Sequence, residues 1–144
     1  MQIADIILQL AQCRFSLIGS LGCHTSNNKT SGKPEIKVLA RPLTLDMFLL
    51  DDFARVPHFQ LPAPSKTFAT SSEFYSALAD MHLQQLSFQR SLACSSADDC
   101  RKKYIARQLF RKLAAEGRLA DSEFDRGPFR LWCEDFRPGV VLIH

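Results

Sequence analysis

The spacing of apolar positions along the chain predicts four helices. Apolar side chains recur at helical spacing over residues 2–13, and again over residues 72–90, which form the longest predicted helix. Two further helices are expected over residues 45–55 and 98–116. Thr44 and Ser71 are the predicted caps of the helices that follow them, and Gly117 is the predicted stop of the last helix.

The last of these helices has two sides of different chemistry. Its buried stripe is predicted to consist of Ile105, Leu109 and Leu113, flanked by Ala106 and Phe110. Its other side carries six basic residues, which are Arg101, Lys102, Lys103, Arg107, Arg111 and Lys112. Such a side either binds nucleic acid or is solvated. The acidic Asp98 and Asp99 nearby, and the lack of interleaved aromatic residues, favour the solvated face.

Short apolar runs between polar segments predict β-structure near both ends of the chain. The apolar residues 15–21, the polar residues 24–34 and a strand over residues 36–39 predict a hairpin with a long connection. Residues 127–144 predict a pair of short strands around a polar loop. Three prolines make residues 56–66 an extended connector. A polar turn over residues 121–126 is expected to precede the strand pair. The predicted fold class is therefore α+β, mainly α.

Composition fits a single domain over residues 1–144. A chain of 144 residues with 46% hydrophobic content is long enough to bury one sizeable core. Its net charge of +3 is too small to indicate a nucleic-acid partner. No apolar run approaches the roughly 20 residues that cross a bilayer. Asp5 stands where a secretory signal would be basic, so neither a membrane nor secretion is expected.

Cysteine usage argues against both a disulfide framework and a metal site. The five cysteines are Cys13, Cys23, Cys94, Cys100 and Cys133. Their number is odd, and their spacing matches no zinc-ligand pattern. We therefore expect reduced, mostly buried thiols and a cytoplasmic location. His82 has no second ligand or carboxylate one helical turn away, so a packed or surface histidine is expected there.

Residues 127–144 carry the strongest chemical signal in the chain. A strand, a polar loop with one aspartate and a second strand form the catalytic loop of kinase-type phosphotransferases. There the aspartate accepts the proton of the attacking hydroxyl, and an asparagine five positions later holds a magnesium ion. Asp135 supplies the carboxylate, whereas Val140 has no oxygen that could ligate magnesium. The loop alone fits a plain polar turn between two strands better than a catalytic loop.

Several stretches, in their order along the chain, resemble the aminoglycoside phosphotransferase family in its large fungal branch. They are residues 15–21 (FSLIGSL), 41–44 (RPLT), 74–75 (FY), 78–82 (LADMH), 89–90 (QR) and 127–138 (GPFRLWCEDFRP). The resemblance covers nearly the whole chain and depends more on this order than on any one motif. The family shares the protein-kinase-like fold, so the resemblance implies a partial helical lobe of that fold.

The resemblance also implies roles for particular residues. Asp135 corresponds to the catalytic aspartate, Cys133 to a position where many members have histidine, and Val140 to the metal-binding asparagine. The parent reaction would transfer phosphate from ATP, with magnesium, to a hydroxyl of a small molecule. The nucleotide-holding lobe would precede Met1, and a second metal-binding aspartate would follow His144.

Two functions are therefore expected from the sequence. The first is a truncated phosphotransferase-family segment that binds neither ATP nor magnesium and is inactive on its own. The alternative is a non-catalytic protein-interaction module derived from the same kind of lobe. The sequence identifies neither the acceptor substrate nor the oligomeric state.

Overall fold

The computed structural model describes residues 3–24, 35–42, 56–89 and 93–131. Within these ranges the fold is α+β, with three α-helices and two small antiparallel sheets. The elements are α1 (Ile3–Gln12), β1 (Arg14–Phe15), β2 (Ser20–His24), β3 (Glu35–Ala40), a 3₁₀ helix (His58–Gln60), α2 (Ser71–Phe88), α3 (Ala97–Ala115) and β4 (Phe129–Arg130). Each described helix is too short or too polar to span a lipid bilayer.

Two predicted elements lie outside the described residues. One is the helix over residues 45–55 with its cap Thr44, and the other is the strand expected after the polar loop, over residues 140–143. The remaining predicted helices are present. α1 lies inside the predicted range 2–13, and α2 and α3 match their predicted ranges to within two residues at each end.

A hairpin is present near the start of the chain, as predicted, but its first strand lies at Ser20–His24, later than the predicted apolar run over residues 15–21. β2 and β3 pair antiparallel, from Ser20 opposite Ala40 to His24 opposite Glu35. Gly19 lies directly before this ladder, where a Cβ atom would overlap the carbonyl oxygen of Ala40. The glycine therefore allows the two backbones to approach this closely.

The second sheet joins distant parts of the chain. β4 pairs antiparallel with β1, with Phe15 opposite Phe129 and Arg14 opposite Arg130. The sequence grouped the strand at residues 129–130 with a strand beyond the polar loop, and nothing in its pattern pointed to β1. A strand of two residues is too short for hydrophobic alternation to indicate which strand it pairs with.

α2 is capped by Thr70, so the prediction of Ser71 as the cap is wrong. Thr70 Oγ1 accepts a hydrogen bond from the backbone N–H of Glu73 at 3.1 Å. The Glu73 carboxylate in turn accepts the backbone N–H of Ala69 at 3.1 Å, which completes a reciprocal capping arrangement. Lys66 Nζ donates to the same carboxylate at 2.6 Å. Threonine and serine cap helices almost equally well, so the sequence could not distinguish these neighbours.

The predicted buried stripe of α3 is wrong over its first half. Ile105 and Leu109 are 66% and 55% exposed, and Ala106 is exposed as well. The side that contacts α2 instead carries Arg107 and Phe110. Apolar periodicity predicts that isoleucine and leucine face the neighbouring helix. An arginine can occupy that side instead when its guanidinium donates hydrogen bonds to acceptors on the neighbouring helix. The second half of the stripe is partly buried, since Phe110 and Leu113 are half-buried.

The main buried cluster joins the proline-rich connector to α2. Its fully buried members are Val56, Leu61, Phe68 and Met81. Phe68 exchanges two backbone hydrogen bonds with Ile18, at 2.8 and 3.0 Å, and its ring meets Phe74 edge-on at 5.6 Å between centroids. The connector over residues 56–66 is thus more than an extended link, because it includes the 3₁₀ helix and supplies core side chains.

Candidate functional site

The residue predicted to be catalytic, Asp135, lies outside the described residues, and so do Cys133 and Val140. The nearest described element in the sequence is β4 (Phe129–Arg130), which leads directly towards the predicted loop. The structure therefore describes the support on which that loop would stand, and the chemistry of the loop itself has to be argued from the sequence.

β4 is held against the start of the fold. Besides its pairing with β1, the guanidinium of Arg130 donates a hydrogen bond to the carbonyl oxygen of Ala11. Ala11 lies in the last turn of α1, where backbone carbonyls have no partner within the helix. A cation at this end also complements the helix dipole. The strand before the predicted loop is thus attached to both β1 and α1.

The turn before β4 is attached to α2 by Asp125. The backbone N–H of Ser72 donates to Asp125 Oδ1 at 2.8 Å, and that of Ser71 donates to the Asp125 carbonyl oxygen at 2.8 Å. Both donors belong to the first turn of α2, whose N–H groups have no partner within the helix. The polar turn predicted over residues 121–126 is confirmed, and it caps a helix that lies more than 50 residues earlier in the chain.

His82 is a packed histidine, as predicted. Its half-buried ring meets the ring of Phe110 edge-on, with 6.1 Å between the centroids. This contact joins α2 to α3, which gives the ring a role in packing. Among the described residues, no group of three or more histidine, cysteine, aspartate or glutamate side chains is placed to hold a metal ion.

Most basic side chains of α3 are engaged by carboxylates. The ion pairs are Lys102–Asp98, Lys103–Asp99, Arg111–Asp80 and Lys112–Glu116, at 2.7–3.8 Å. Three of the four are pairs one helical turn apart on α3, and the fourth reaches α2. This arrangement is typical of a solvated helix face, because the charges are neutralised locally. Nucleic-acid binding has no support from these contacts.

Ile105 and Leu109 form an exposed apolar strip on α3, which we call the outer face. The two residues are one helical turn apart and therefore lie on the same side. Tyr104, beside them, is 51% exposed. Apolar side chains that are exposed next to one another mark contact surfaces more often than isolated ones do.

An open cavity of about 900 Å³ lies between the end of α2 and the start of α3. α2 contributes the apolar side chains of Leu86 and Phe88, and α3 contributes Arg101. The segment that enters α3 adds Cys94 with the hydroxyl groups of Ser95 and Ser96, and α3 itself adds Cys100 and Tyr104. The volume is in the range of small-molecule sites, although the cavity is open to solvent on one side.

The two thiols in this cavity belong to Cys94 and Cys100. Ser96 is the cap of α3, so Cys94 comes before the cap and Cys100 lies in the first turns of the helix. Both side chains are half-buried and line this same cavity. Removal from water, followed by the hydrogen bond and the charge of Cys100, raises the pKa of the Cys94 thiol.

Asp99 fixes the segment that carries Cys94. Its Oδ2 accepts hydrogen bonds from the backbone N–H of Ser95 at 2.9 Å, the Ser95 hydroxyl at 3.1 Å and Lys103 Nζ at 2.9 Å. Lys103 Nζ also donates to the carbonyl oxygen of Ala93 at 2.7 Å. The Ser95 N–H, and then Lys103, lower the pKa of the Asp99 carboxyl to about 2.

Arg107 is the charged group closest to the interior of the helix pair. Its guanidinium donates to the carbonyl oxygen of His82 at 2.7 Å and to Gln85 Oε1 at 3.0 Å. Removal from water lowers its pKa, while the nearby thiols Cys94 and Cys100 act in the opposite direction. An arginine remains protonated under such a shift, so Arg107 places a fixed positive charge near the two thiols.

The prediction that the cysteines are mostly buried is wrong at the start of the chain. Cys13 and Cys23 are exposed, and all four described cysteines are free thiols. Cys13 follows the last residue of α1, and Cys23 lies in a two-stranded sheet that buries little of either face. Neither place offers the apolar cover that free cysteines usually take.

Comparison with known proteins assigns no family. No protein-family model, curated protein or solved structure matches the chain. Its function is therefore argued below from its own residues.

The magnesium ion of the resembled family does not fit the residues of this chain. Its amide ligand would stand at Val140, whose side chain offers no oxygen. Magnesium requires oxygen ligands in near-octahedral geometry, so an apolar side chain removes one of the few that the protein supplies. We assign no step to magnesium or to ATP in this chain.

The cavity and the contact between its thiols were not predicted. One signal in the sequence could have indicated them. Ser96 and Asp99 are three residues apart and form a capping box, which places the start of α3 at residue 97. A capping box sets the direction in which the chain enters a helix, so it indicates that the residues just before the cap lie near the first turns.

Proposed function

We propose that this chain is a kinase-like phosphotransferase-family segment that no longer catalyses phosphate transfer. The parent reaction transfers a phosphate from ATP to a hydroxyl of a small molecule. Asp135 is the residue that we assign to the ancestral base, and Val140 is the substitution that removes magnesium binding. The fold proposed for the chain is part of the helical lobe of a protein-kinase-like domain.

The observation that carries this proposal is the attachment of β4. A catalytic aspartate acts by position, because its carboxylate has to stay within hydrogen-bond reach of the reacting hydroxyl. β4 precedes Asp135 closely in the sequence, and it is held by β1, by Ala11 and, through the turn at Asp125, by α2. This is the rigid support that a catalytic loop needs, and it favours a loop with a catalytic ancestry over a plain surface turn.

The experiment that tests this proposal compares Val140→Asn with the wild-type chain. Thermal unfolding is followed with and without magnesium and ATP, and phosphate transfer to aminoglycosides and choline-like alcohols is measured with labelled ATP. We expect no magnesium or nucleotide effect on the wild-type chain. In Val140→Asn we expect magnesium alone to raise the unfolding temperature by about 1–2 °C, with no further rise on addition of ATP, because the amide restores one metal ligand and a ligand that binds the folded state alone stabilises it.

Two controls make the result specific. Val141→Asn adds the same amide one position away and should show no magnesium effect. Asp135→Asn keeps the shape of the aspartate and removes its charge. Phosphate transfer by the wild-type chain that disappears in Asp135→Asn would contradict the proposed inactivity. An equal response of Val140→Asn and Val141→Asn would contradict the assigned role of position 140.

A second candidate function is a non-catalytic interaction module, and one observation favours it. The outer face exposes Ile105 and Leu109 next to Tyr104, on a helix whose opposite side is already packed on α2. These apolar side chains lie at helical spacing but are not buried in the core of the described fold. They are therefore available to contact a partner.

The test of this candidate is self-association and partner capture with a matched pair of variants. Ile105→Gln with Leu109→Gln removes the apolar strip, whereas Arg101→Gln with Lys102→Gln changes two neighbouring exposed positions and leaves the strip intact. Loss of binding in the first pair alone supports an interaction surface. Equal binding by both pairs and by the wild-type chain, or no binding by any of them, counts against it.

A further inference from the structure

Of the cysteines that the structure describes, Cys94 and Cys100 stand apart. Cys13 and Cys23 are exposed, Cys13 directly after α1 and Cys23 in β2. Cys94 and Cys100 are half-buried, line the same open cavity and are close enough for Cys100 to affect the pKa of Cys94. Neither the catalytic ancestry nor the outer face of α3 uses this pair.

The start of α3 holds the two thiols together. The N–H of Cys100 donates to the carbonyl oxygen of Ser96 at 2.9 Å, which places Cys100 in the helix. Asp99 binds the N–H and hydroxyl of Ser95 and so fixes the residue directly after Cys94. Lys103 binds the carbonyl oxygen of Ala93, directly before Cys94. Cys94 is therefore fixed on both sides of its own position, against a helix that carries its partner.

From this geometry we propose that Cys94 and Cys100 form a dithiol site that exchanges with low-molecular-weight disulfides, of which glutathione disulfide is the type, to give an intrachain disulfide. The open side of the cavity admits the disulfide to the two sulfur atoms. The inference does not depend on the kinase-like ancestry, since no residue of the predicted catalytic loop takes part.

The reaction proceeds in two exchanges. Cys100 attacks first, because burial raises the pKa of the Cys94 thiol and so leaves less of the Cys94 thiolate to attack. The Cys100 thiolate bonds to one sulfur of glutathione disulfide, the disulfide bond breaks, and one glutathione leaves as its thiolate. The product is a mixed disulfide between Cys100 and glutathione.

In the second exchange Cys94 loses its proton to solvent and attacks the sulfur of Cys100. The mixed disulfide bond breaks, and the second glutathione thiolate leaves. The two departing thiolates take up two protons, which balance the two that the protein thiols lost. In sum, the protein dithiol is oxidised by two electrons to a disulfide, and one glutathione disulfide is reduced to two glutathione molecules.

Positive charge near the pair offsets part of the effect of burial, which raises the pKa of the Cys94 thiol. Arg107 interacts electrostatically with both thiols, and Lys103 reduces the rise at Cys94. Asp99 acts in the opposite direction on Cys94. Two cations against one carboxylate leave the surroundings of the pair net positive among the described groups.

The chain offers a direct readout for this reaction. Residues 91–101 contain both cysteines and no internal lysine or arginine, and Arg90 and Arg101 bound them. Trypsin therefore releases both thiols on one peptide. Formation of the intrachain disulfide makes this peptide lighter by two hydrogen atoms, whereas separate reaction adds one or two glutathiones to it.

The experiment equilibrates the full chain in glutathione buffers of fixed oxidised-to-reduced ratio, blocks free thiols with an alkylating agent and measures the tryptic peptide by mass. The same equilibration in concentrated urea gives the reference for an unfolded chain. We expect the ratio of disulfide to dithiol to be at least about tenfold higher in native buffer than in urea, because the fold holds the thiols in contact. The Cys13→Ser/Cys23→Ser variant should give the same ratio as the wild-type chain.

Two outcomes would overturn the proposal. The first is a peptide that carries glutathione on Cys94 and Cys100 independently, with no species lighter by two hydrogens. The second is an equal disulfide ratio in native buffer and in urea, which would mean that the fold does not bring the thiols together. The variant Cys94→Ser adds a further check, since it should trap glutathione on Cys100 as a stable mixed disulfide.

Discussion

Arg107 on α3 donates a hydrogen bond of 2.7 Å to the backbone carbonyl oxygen of His82 on α2. This carbonyl lies within a helix and already has the usual partner four residues later available to it. A second, charged donor therefore uses the remaining lone pair of the oxygen and joins the two longest helices near their middle. The helix pair depends on a polar contact at a position where apolar packing is the rule.

Arg107→Met should destabilise the fold more than Arg111→Met does. The first variant removes the bonds to His82 and Gln85, and hydrogen bonds of charged groups contribute about 1.5–3 kcal/mol. We expect a loss of about 2 kcal/mol from the free energy of unfolding. Arg111 pairs with Asp80 in solvent, where such a pair contributes about 1 kcal/mol or less. Urea unfolding of both variants measures the difference, and equal losses would show that Arg107 acts as an ordinary surface residue.

Asp125→Ala should destabilise α2 although residue 125 lies far from it in the sequence. The carboxylate accepts the N–H of Ser72, and loss of such a cap costs about 0.5–2 kcal/mol. Asp125→Asn keeps an oxygen acceptor and loses the charge, so its cost should be smaller. Asp121→Ala, which changes a carboxylate in the same turn without a contact to α2, serves as the control. The prediction fails if the alanine and asparagine variants at position 125 lose equal stability.

Asp99 should make the fold sensitive to acid over a defined interval. Its pKa is about 2 in the folded chain, against an ordinary value of 3.8. A lowered folded-state pKa stabilises the fold fully above the unfolded value, and this contribution is lost as pH falls from about 4 towards 2. Asp99→Asn should flatten the stability profile in that interval relative to the wild-type chain. Thermal unfolding at pH 5, 4, 3 and 2 gives the comparison.

Met81→Ala should lower the free energy of unfolding far more than Leu109→Ala does. Met81 is 1% exposed and belongs to the main buried cluster, so its truncation should cost about 2–4 kcal/mol. Leu109 is 55% exposed, and its truncation should change the free energy of unfolding by about 0.5 kcal/mol or less. A large loss of unfolding free energy in Leu109→Ala would contradict the exposed position of Leu109 and support the buried stripe predicted for α3.

Gly19→Ala and Gly117→Ala test two different reasons why a position requires glycine, which are a close backbone contact and a positive φ angle. At Gly19 the new methyl group would overlap the backbone of Ala40, so the hairpin has to shift at a cost of about 2–3 kcal/mol. At Gly117 no atom stands in the way, but the φ angle of +65° is strained for alanine by about 1–2 kcal/mol. Denaturant unfolding measures both, and the hairpin chemical shifts should move in the first variant alone.

The sequence predicted the local elements better than their contacts. Helix starts and stops follow from capping residues and glycine, which act within a few positions, and this explains why the helix bounds agree to within two residues and why the last helix stops at Gly117. The buried side of α3 was wrong, because an arginine that finds acceptors on α2 is not visible in a hydrophobic pattern. The pairing of β1 with β4 was not predicted either, because each strand has two residues.

For the candidate site, too, the sequence predicted local features better than contacts between residues. Asp135 was found by resemblance and by the strand–loop pattern, and it lies outside the described residues. The position of Cys94 and Cys100 in one cavity depends on how the chain enters α3, so spacing alone did not indicate it. Among the described cysteines, exposure could not be assigned from residue type, since Cys13 and Cys23 lack the apolar cover that cysteines usually have.

The bond between Arg130 and Ala11 has a consequence for how the chain folds during synthesis. The two residues are 119 positions apart. At translation rates of about 5–20 residues per second, Ala11 is made roughly 6–24 s before its partner. Through that interval α1 and β1 have neither β4 nor Arg130 to contact, and the exposed Ile7 and Leu8 are open to chaperones. Among the described elements, α1 is therefore made early but is one of the last to reach its native contacts.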